Sequence, residues 1–149
     1  MTLYPEPMAD PVPNPRSMAA GIRRRVLAHV LANNGGYLSL ACSAADLLAV
    51  LYGRVLNLSP LPAPLHPPAF EAVPGPDAPR VSGGLFHGEP GPDLDRFIIS
   101  PAHYALVVYA ALIEAGRLDE AALDQFNKDG STVEMIGAEH SPGFETTTG

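Results

Sequence analysis

Tryptophan is absent from this chain, and cysteine and lysine occur once each. Lone Cys42 leaves no partner for an intramolecular disulfide and no set of thiolates for a multi-cysteine metal site, which suits a reducing compartment. Set between Ala41 and Ser43, it reads as a buried structural thiol rather than a nucleophile. Positive charge is scarce too. Nine Lys plus Arg against sixteen Asp plus Glu give a net charge of −7, which repels phosphate backbones and gives nucleic acid no electrostatic footprint. The one basic run, Arg23-Arg24-Arg25, reads as a solvated helix face with one arginine turned toward a neighbouring chain, ahead of phosphate or membrane binding. No apolar stretch approaches the ~20 residues of a membrane span. The N-terminus has neither the basic start nor the apolar run of a signal peptide. These absences point to a cytoplasmic protein without nucleic-acid or membrane partners. Acidic residues are scattered, so no metal site is assigned within the chain.

What is abundant is proline and glycine, 17 and 14 of 149 residues, concentrated in two stretches. The length fits one domain. Hydrophobic content of 46% with 17% charged residues supports a real core, although the part able to pack is shorter than the length suggests. Residues 1–16 carry prolines at 5, 7, 11, 13 and 15 and read as an extended arm, because proline lacks an amide donor and fixes φ. Between residues 59 and 94 ten further prolines and several glycines exclude regular helix or central strand. We expect a long surface loop there that packs on another chain, with a small hairpin around Gly83-Gly84.

The remainder, 17–149, reads as the folded part. Ser17 predicts the N-cap of a first helix to about Asn33, with Met18, Ile22, Val26 and Val30 at helical spacing and Asn33-Asn34-Gly35-Gly36 as the stop. Ser43 with Asp46 three residues on predicts the start of a second helix, through Leu47, Leu48, Leu51 and Val55, apolar on most sides and so buried. Phe97-Ile98-Ile99-Ser100 predicts one short buried strand closed by Pro101. A near-continuously hydrophobic helix should follow over 102–115, inside the domain or at a subunit interface. A short amphipathic helix then starts near Leu118-Asp119-Glu120, with Leu123 and Phe126 facing in. His29 is expected in the core or an interface, and His66 and His87 lie too far from regular elements to propose as metal ligands.

His103 is the strongest chemical candidate. It sits at a strand-to-helix junction, where free first-turn amides favour an anion; the alternative is a helix-capping histidine bonded to backbone. Tyr37 follows Gly35-Gly36. Its phenol can donate one hydrogen bond but cannot exchange protons near neutrality as an imidazole does. His140, next to Glu139, could form a proton-transfer pair or be an exposed loop histidine. Glu145-Thr146-Thr147-Thr148-Gly149 offers hydroxyls and close backbone approach, with Thr147 or Thr148 able to N-cap a helix continuing into Gly149.

Four blocks taken in order resemble the N-terminal part of the thiamine-diphosphate-binding domain of transketolases: Asn34-Gly35-Gly36-Tyr37 through Asp46-Leu47-Leu48, Asp95 to His103, Phe126 to Ser131, and Ser141 to Gly149. The likeness covers roughly residues 17 to 149 apart from the proline-rich insertion. It implies an α/β fold: an incomplete thiamine-diphosphate-binding domain, mostly helical here with one or two short strands. It implies that His103, in Ser100-Pro101-Ala102-His103, contacts the coenzyme diphosphate, although Ala102 replaces the family's Gly. Thr148 and Gly149 would lead into the coenzyme-facing helix. Tyr37 stands where transketolases carry a His that polarises substrate, so it either reports a different substrate or shapes the pocket. The segment around it also resembles homodimeric pyruvate dehydrogenase first components, which keeps a 2-oxo-acid donor in play. His140 lies near the family's Gly-His-Pro, but ungapped counting from Glu145 puts Met135 at that His. The family's Gly-Asp-Gly metal-diphosphate motif is missing, so the resemblance implies a fragment or split subunit. The expected cofactor is thiamine diphosphate with Mg²⁺, whose ligands would lie on a partner chain, as would the pyrimidine-binding domain. The implied reaction passes a two-carbon unit from a ketose phosphate or 2-oxo acid to an acceptor, which could be carrier-bound. The chain alone should be inactive. The rival expectation is a non-catalytic scaffold or regulatory subunit; a truncated piece with no function of its own is the third. Residue usage fits a high-GC bacterial source, where such an enzyme could serve a specialised pathway.

Overall fold

A computed structural model describes residues 14–72, 76, 82–146 and 148. Three α-helices dominate it: α1 (Pro15–Asn33), α2 (Leu38–Val50) and α3 (Ala105–Glu114). The first begins two residues before Ser17 because Asn14 caps it, accepting the Arg16 amide at 3.0 Å, and Pro15 needs no amide partner in the first turn. It stops at Asn34, whose φ of 52° is the left-handed end expected of Asn. The second begins at Leu38 rather than Ser43. Tyr37, also left-handed at φ 56°, turns the chain, and Ser43 bonds back to the Leu40 carbonyl inside the helix.

The helix α3 is the centre. Leu106, Val107, Ala110 and Ala111 face α1 and α2, packing with Met18, Ile22, Val26, Ala45 and Leu48. Ala105, Val108, Tyr109 and Leu112 face the other way, onto Phe86, Leu118, Val133 and Phe144. Two stripes at helical spacing on opposite sides explain a helix apolar all round. Nine of its ten residues are buried inside this chain, from Ala105 to Ile113, so no other subunit is needed to cover it.

By contrast α2 is covered on one side. Ala41, Ala45, Leu48 and Ala49 are buried, whereas Leu47 is 62% and Val50 43% exposed. The small alanines let α1 approach closely. Arg23 of α1 pairs with Asp46 and donates to the Cys42 carbonyl, and Arg25 bonds Glu114 at 2.5 Å and Glu120. Two arginines of the basic run are thus tied within the chain while Arg24 is exposed, and Cys42 is half-buried. Past Val50 the helix widens into a π turn, Leu51–Val55. The continuous helix Leu38–Val55 has the length and mean hydropathy of a short membrane span, although only by composition. That corrects the expectation that no stretch comes near one.

No strand forms among the described residues. The expected buried one at 97–100 makes no ladder, and its Ile98 is exposed; among these residues only two isolated bridges occur, Leu65 with Leu118 and Ala69 with Ser131. The described residues are therefore mostly helical, as expected of this piece, and the one or two short strands expected of an α/β domain are not among them.

The proline-rich stretch also departs from expectation, because it packs on its own chain. Leu65 accepts the Asp119 amide and donates its own to the Arg117 carbonyl, Phe70 N–H reaches Gly130, and Thr132 donates to the Pro68 carbonyl. Arg117 donates to the carbonyls of Phe86 and Ser59. Prolines spare amides, and these bonds satisfy carbonyls that packing would otherwise strand. In place of a hairpin, Gly83–His87 forms a 3₁₀ turn capped by Ser82. The arm over 1–13 and Val81 lie outside the described residues.

Candidate functional site

The Gly36-Tyr37 turn and the 3₁₀ turn Ala102–Tyr104, which runs straight into α3, meet at one edge of the molecule. Gly36 has φ 118°, and a Cβ there would sit 2.5 Å from Leu106 Cδ2 of α3. Only glycine allows that approach. It carries Tyr37, 46% exposed, over His103, with ring centroids 5.5 Å apart and tilted by 53°. The ring of Tyr104, the next residue, lies with its centroid 5.5 Å from that of His103. The residues before it are held in turn: Thr148 donates its hydroxyl to the Ile99 carbonyl at 2.6 Å, and Gly137 N–H reaches the Ala102 carbonyl. The Ser100–Pro101 bond is cis. Tyr37, His103 and the strand-like segment bound by Thr148 thus gather at one place, although 66 residues part the first two in sequence. Thr147 and Gly149 lie outside the described residues.

His140 belongs to a different cluster. It is 7% exposed, stacks against Phe70 at 5.0 Å, and its Nε2 bonds Glu134 Oε2 at 2.9 Å. Ser141 donates to the same carboxylate oxygen. The dyad is therefore His140–Glu134, where the sequence suggested Glu139 or an exposed loop. His29 is buried against the edge of Phe126 at 4.5 Å, and burial lowers its pKa.

A further polar cluster is centred on two side chains buried in the interior, His87 and Glu145. His87 Nε2 meets Tyr52 Oη at 2.8 Å, and His87 Nδ1 meets Glu145 Oε1 at 2.8 Å. The same carboxylate accepts the Phe97 amide at 3.1 Å and pairs with Arg96. Side chains of His87 and Glu145 are 2% and 4% exposed. Burial lowers the His87 pKa against the opposing pull of Glu145, and burial raises that of Tyr52. A neutral imidazole follows. Glu145, already accepting from an amide and a guanidinium, also accepts a hydrogen bond from Nδ1–H, and Nε2 is left to accept from the Tyr52 hydroxyl.

Beside both clusters runs an apolar groove of about 440 Å³ between α2 and residues 97–101, lined by Leu47, Leu51, Ile98 and Tyr104 among others. No group of three or more His, Cys, Asp or Glu among the described residues is arranged to hold a metal ion.

No family model matches the chain. Two curated proteins do. Over 132 residues, 88% of this chain, it is 34% identical to the uncharacterized transketolase family protein y4mO of Sinorhizobium fredii. Over 134 residues, 90% of it, the identity to transketolase-like protein 2 of Homo sapiens is 27%. The chain is transketolase-like. It spans 38% and 17% of the lengths of those two relatives.

Within this transketolase-like chain the sequence pointed to Tyr37 and His103 separately, and missed the Tyr52–His87–Glu145 cluster. Tyr52 sits within an apolar helical stretch that drew attention only for its leucines and valines, and His87 stands amid prolines and glycines. One signal was present. Gly83-Gly84 just before Phe86-His87 allows close backbone approach, and a Cβ on Gly83 would sit 1.7 Å from the Ser141 carbonyl oxygen.

Proposed function

We propose that this chain forms one wall of a thiamine-diphosphate site in a transketolase-like transferase, with further polypeptide, as a partner chain, supplying the Gly-Asp-Gly grip on Mg²⁺ and the pyrimidine pocket. The observation that carries the reading is the meeting of Tyr37 and His103 on one edge, beside the Thr148–Ile99 bond. The donors there suit the coenzyme: an imidazole and a phenol can each give a hydrogen bond to phosphate or carbonyl oxygen. His103, at the entrance to α3, would bind the diphosphate with the helix dipole behind it. Tyr37 would line the donor pocket and orient a carbonyl or hydroxyl of the substrate. Thr148 would set the backbone next to the coenzyme. When bound, thiamine diphosphate supplies the electron sink for breaking the carbon–carbon bond beside a carbonyl. The two-carbon unit so released passes from a ketose phosphate or 2-oxo acid to an acceptor. His140, tied to Glu134, would act from outside this edge.

The test is to combine the protein with a polypeptide carrying the Gly-Asp-Gly motif and the pyrimidine-binding domain, and to measure coenzyme binding and turnover. His103→Ala should weaken coenzyme binding by about tenfold or more, the loss of one hydrogen bond to a charged group. Tyr37→Phe should lower turnover with little change in coenzyme affinity. Tyr37 and Met135, at positions where the family carries histidines, favour a second reading, a scaffold that stabilises an active partner. A scaffold would be indifferent to both substitutions.

A further inference from the structure

His87 belongs to the proline-rich insertion, yet its ring is among the most enclosed polar groups of the described residues, held at both nitrogens and set edge-on to Phe97 at 5.9 Å. What it holds is informative. Glu145 reaches across to the Phe97 amide, and Thr148, three residues after Glu145, bonds the carbonyl of Ile99, two residues after Phe97. Residues 145–148 and 97–99 are therefore clamped at two points, and 97–99 leads directly into Ala102–Tyr104, which carries His103. Glu145 forms one of those two clamps. Its carboxylate is pulled outward by Arg96, whose side chain is half-exposed, and held inward by His87.

We propose that His87 is a positioning residue for the candidate site: its Nδ1–H fixes the Glu145 carboxylate on the Phe97 amide, and thereby sets where His103 and Thr148 stand. The imidazole is suited to this because one group must donate to Glu145, accept from Tyr52 and remain uncharged in a dry interior. The clamp itself stands on geometry alone; only its consequence for coenzyme rests on the proposed function.

Ring-nitrogen NMR of the intact chain should show His87 protonated at Nδ1 and bare at Nε2 at neutral pH. The opposite tautomer would overturn the proposal. His87→Phe, which fills the volume without a donor, should speed hydrogen exchange of the Phe97 amide by about tenfold relative to α1 amides, as expected for a lost bond to a charged group. His87→Asn places an amide N–H near the Nδ1 position and should restore most of that protection. Unchanged Phe97 exchange in the Phe variant, or no rescue by Asn, would refute the clamp. If the Phe variant does not fold, Tyr52→Phe gives the second arm: it should keep the Nδ1 proton and the Phe97 protection, and loss of both would sink the idea. Absence of coenzyme binding in the combined protein would count against the proposed function and leave these readings untouched.

Discussion

Inside this chain α3 buries nine of its ten residues, whereas α2, also rich in Leu, Ala and Val, leaves Leu47 and Val50 open, Leu47 in one groove with Ile98, itself 63% exposed. The difference lies in the neighbours. The central helix lies between two sets of side chains, one from α1 and α2 and one from residues 86–144. The second helix has α1 and α3 on its buried side and only the edge of the groove on the other. An apolar helix is thus not buried by its composition. It is buried by the number of elements its own chain can bring to it.

The largest break in that comparison should come from Leu112→Ala. Leu112 is fully buried, and such a truncation typically costs about 2 to 5 kcal/mol, read as a lowered urea midpoint. Gly83→Ala should come next, since its Cβ would collide with the Ser141 carbonyl at 1.7 Å. Forcing backbone apart in a packed region costs about 1 to 3 kcal/mol, and thermal melting would report it. Tyr109→Phe sharpens the contrast on the inner side of α3. Its hydroxyl donates to the Glu134 carbonyl at 2.9 Å, and removing that donor should cost about 1 kcal/mol.

Acid should act on the same interior. Burial depresses the pKa values of His87 and His29 below the ordinary 6.5. In the window between the depressed native values and 6.5 the unfolded chain binds more protons, so stability rises with pH there. Full stability is present above 6.5 and is lost progressively as pH falls through the native values. Urea midpoints measured from neutral to mildly acidic pH should show that slope, and His87→Phe should flatten it. The smallest effect belongs to Leu47→Ala on the open face of α2, within about 0.5 kcal/mol. A loss comparable to that of Leu112→Ala would mean this face is covered in the protein as it stands.

Much of the helical frame was legible. Helical spacing of Met18, Ile22 and Val26 and the Asn34 stop gave α1, and unbroken hydrophobicity gave α3, because both patterns depend on neighbours within one element. The start of α2 was misread. Ser43 is a strong capping residue by type, but the chain turns at Tyr37, where Gly36 must pass under Leu106, a contact about 70 residues away in sequence. The expected strand failed for a similar reason: Phe97 and Ile99 alternate with exposed Ile98 as a strand would, but a ladder requires a second backbone alongside. At the candidate site, Tyr37 and His103 were legible as types at suggestive positions, and their meeting was not. The Tyr52–His87–Glu145 chain was invisible, since it joins an apolar helix, an insertion and the tail.

By itself the sequence determined where the main helices would lie, that proline would keep α-helix and strand out of the described residues of 59–94, and that its charge is net negative. Each of these follows from local backbone sterics or from summed ionisation. Only the tertiary structure decided which apolar face would be covered, that the insertion would fold back onto its own chain, and that a neutral histidine would sit between a phenol and a carboxylate. Those outcomes depend on burial and on hydrogen-bond partners that are distant along the chain, and a donor removed from water must find such partners or pay their loss.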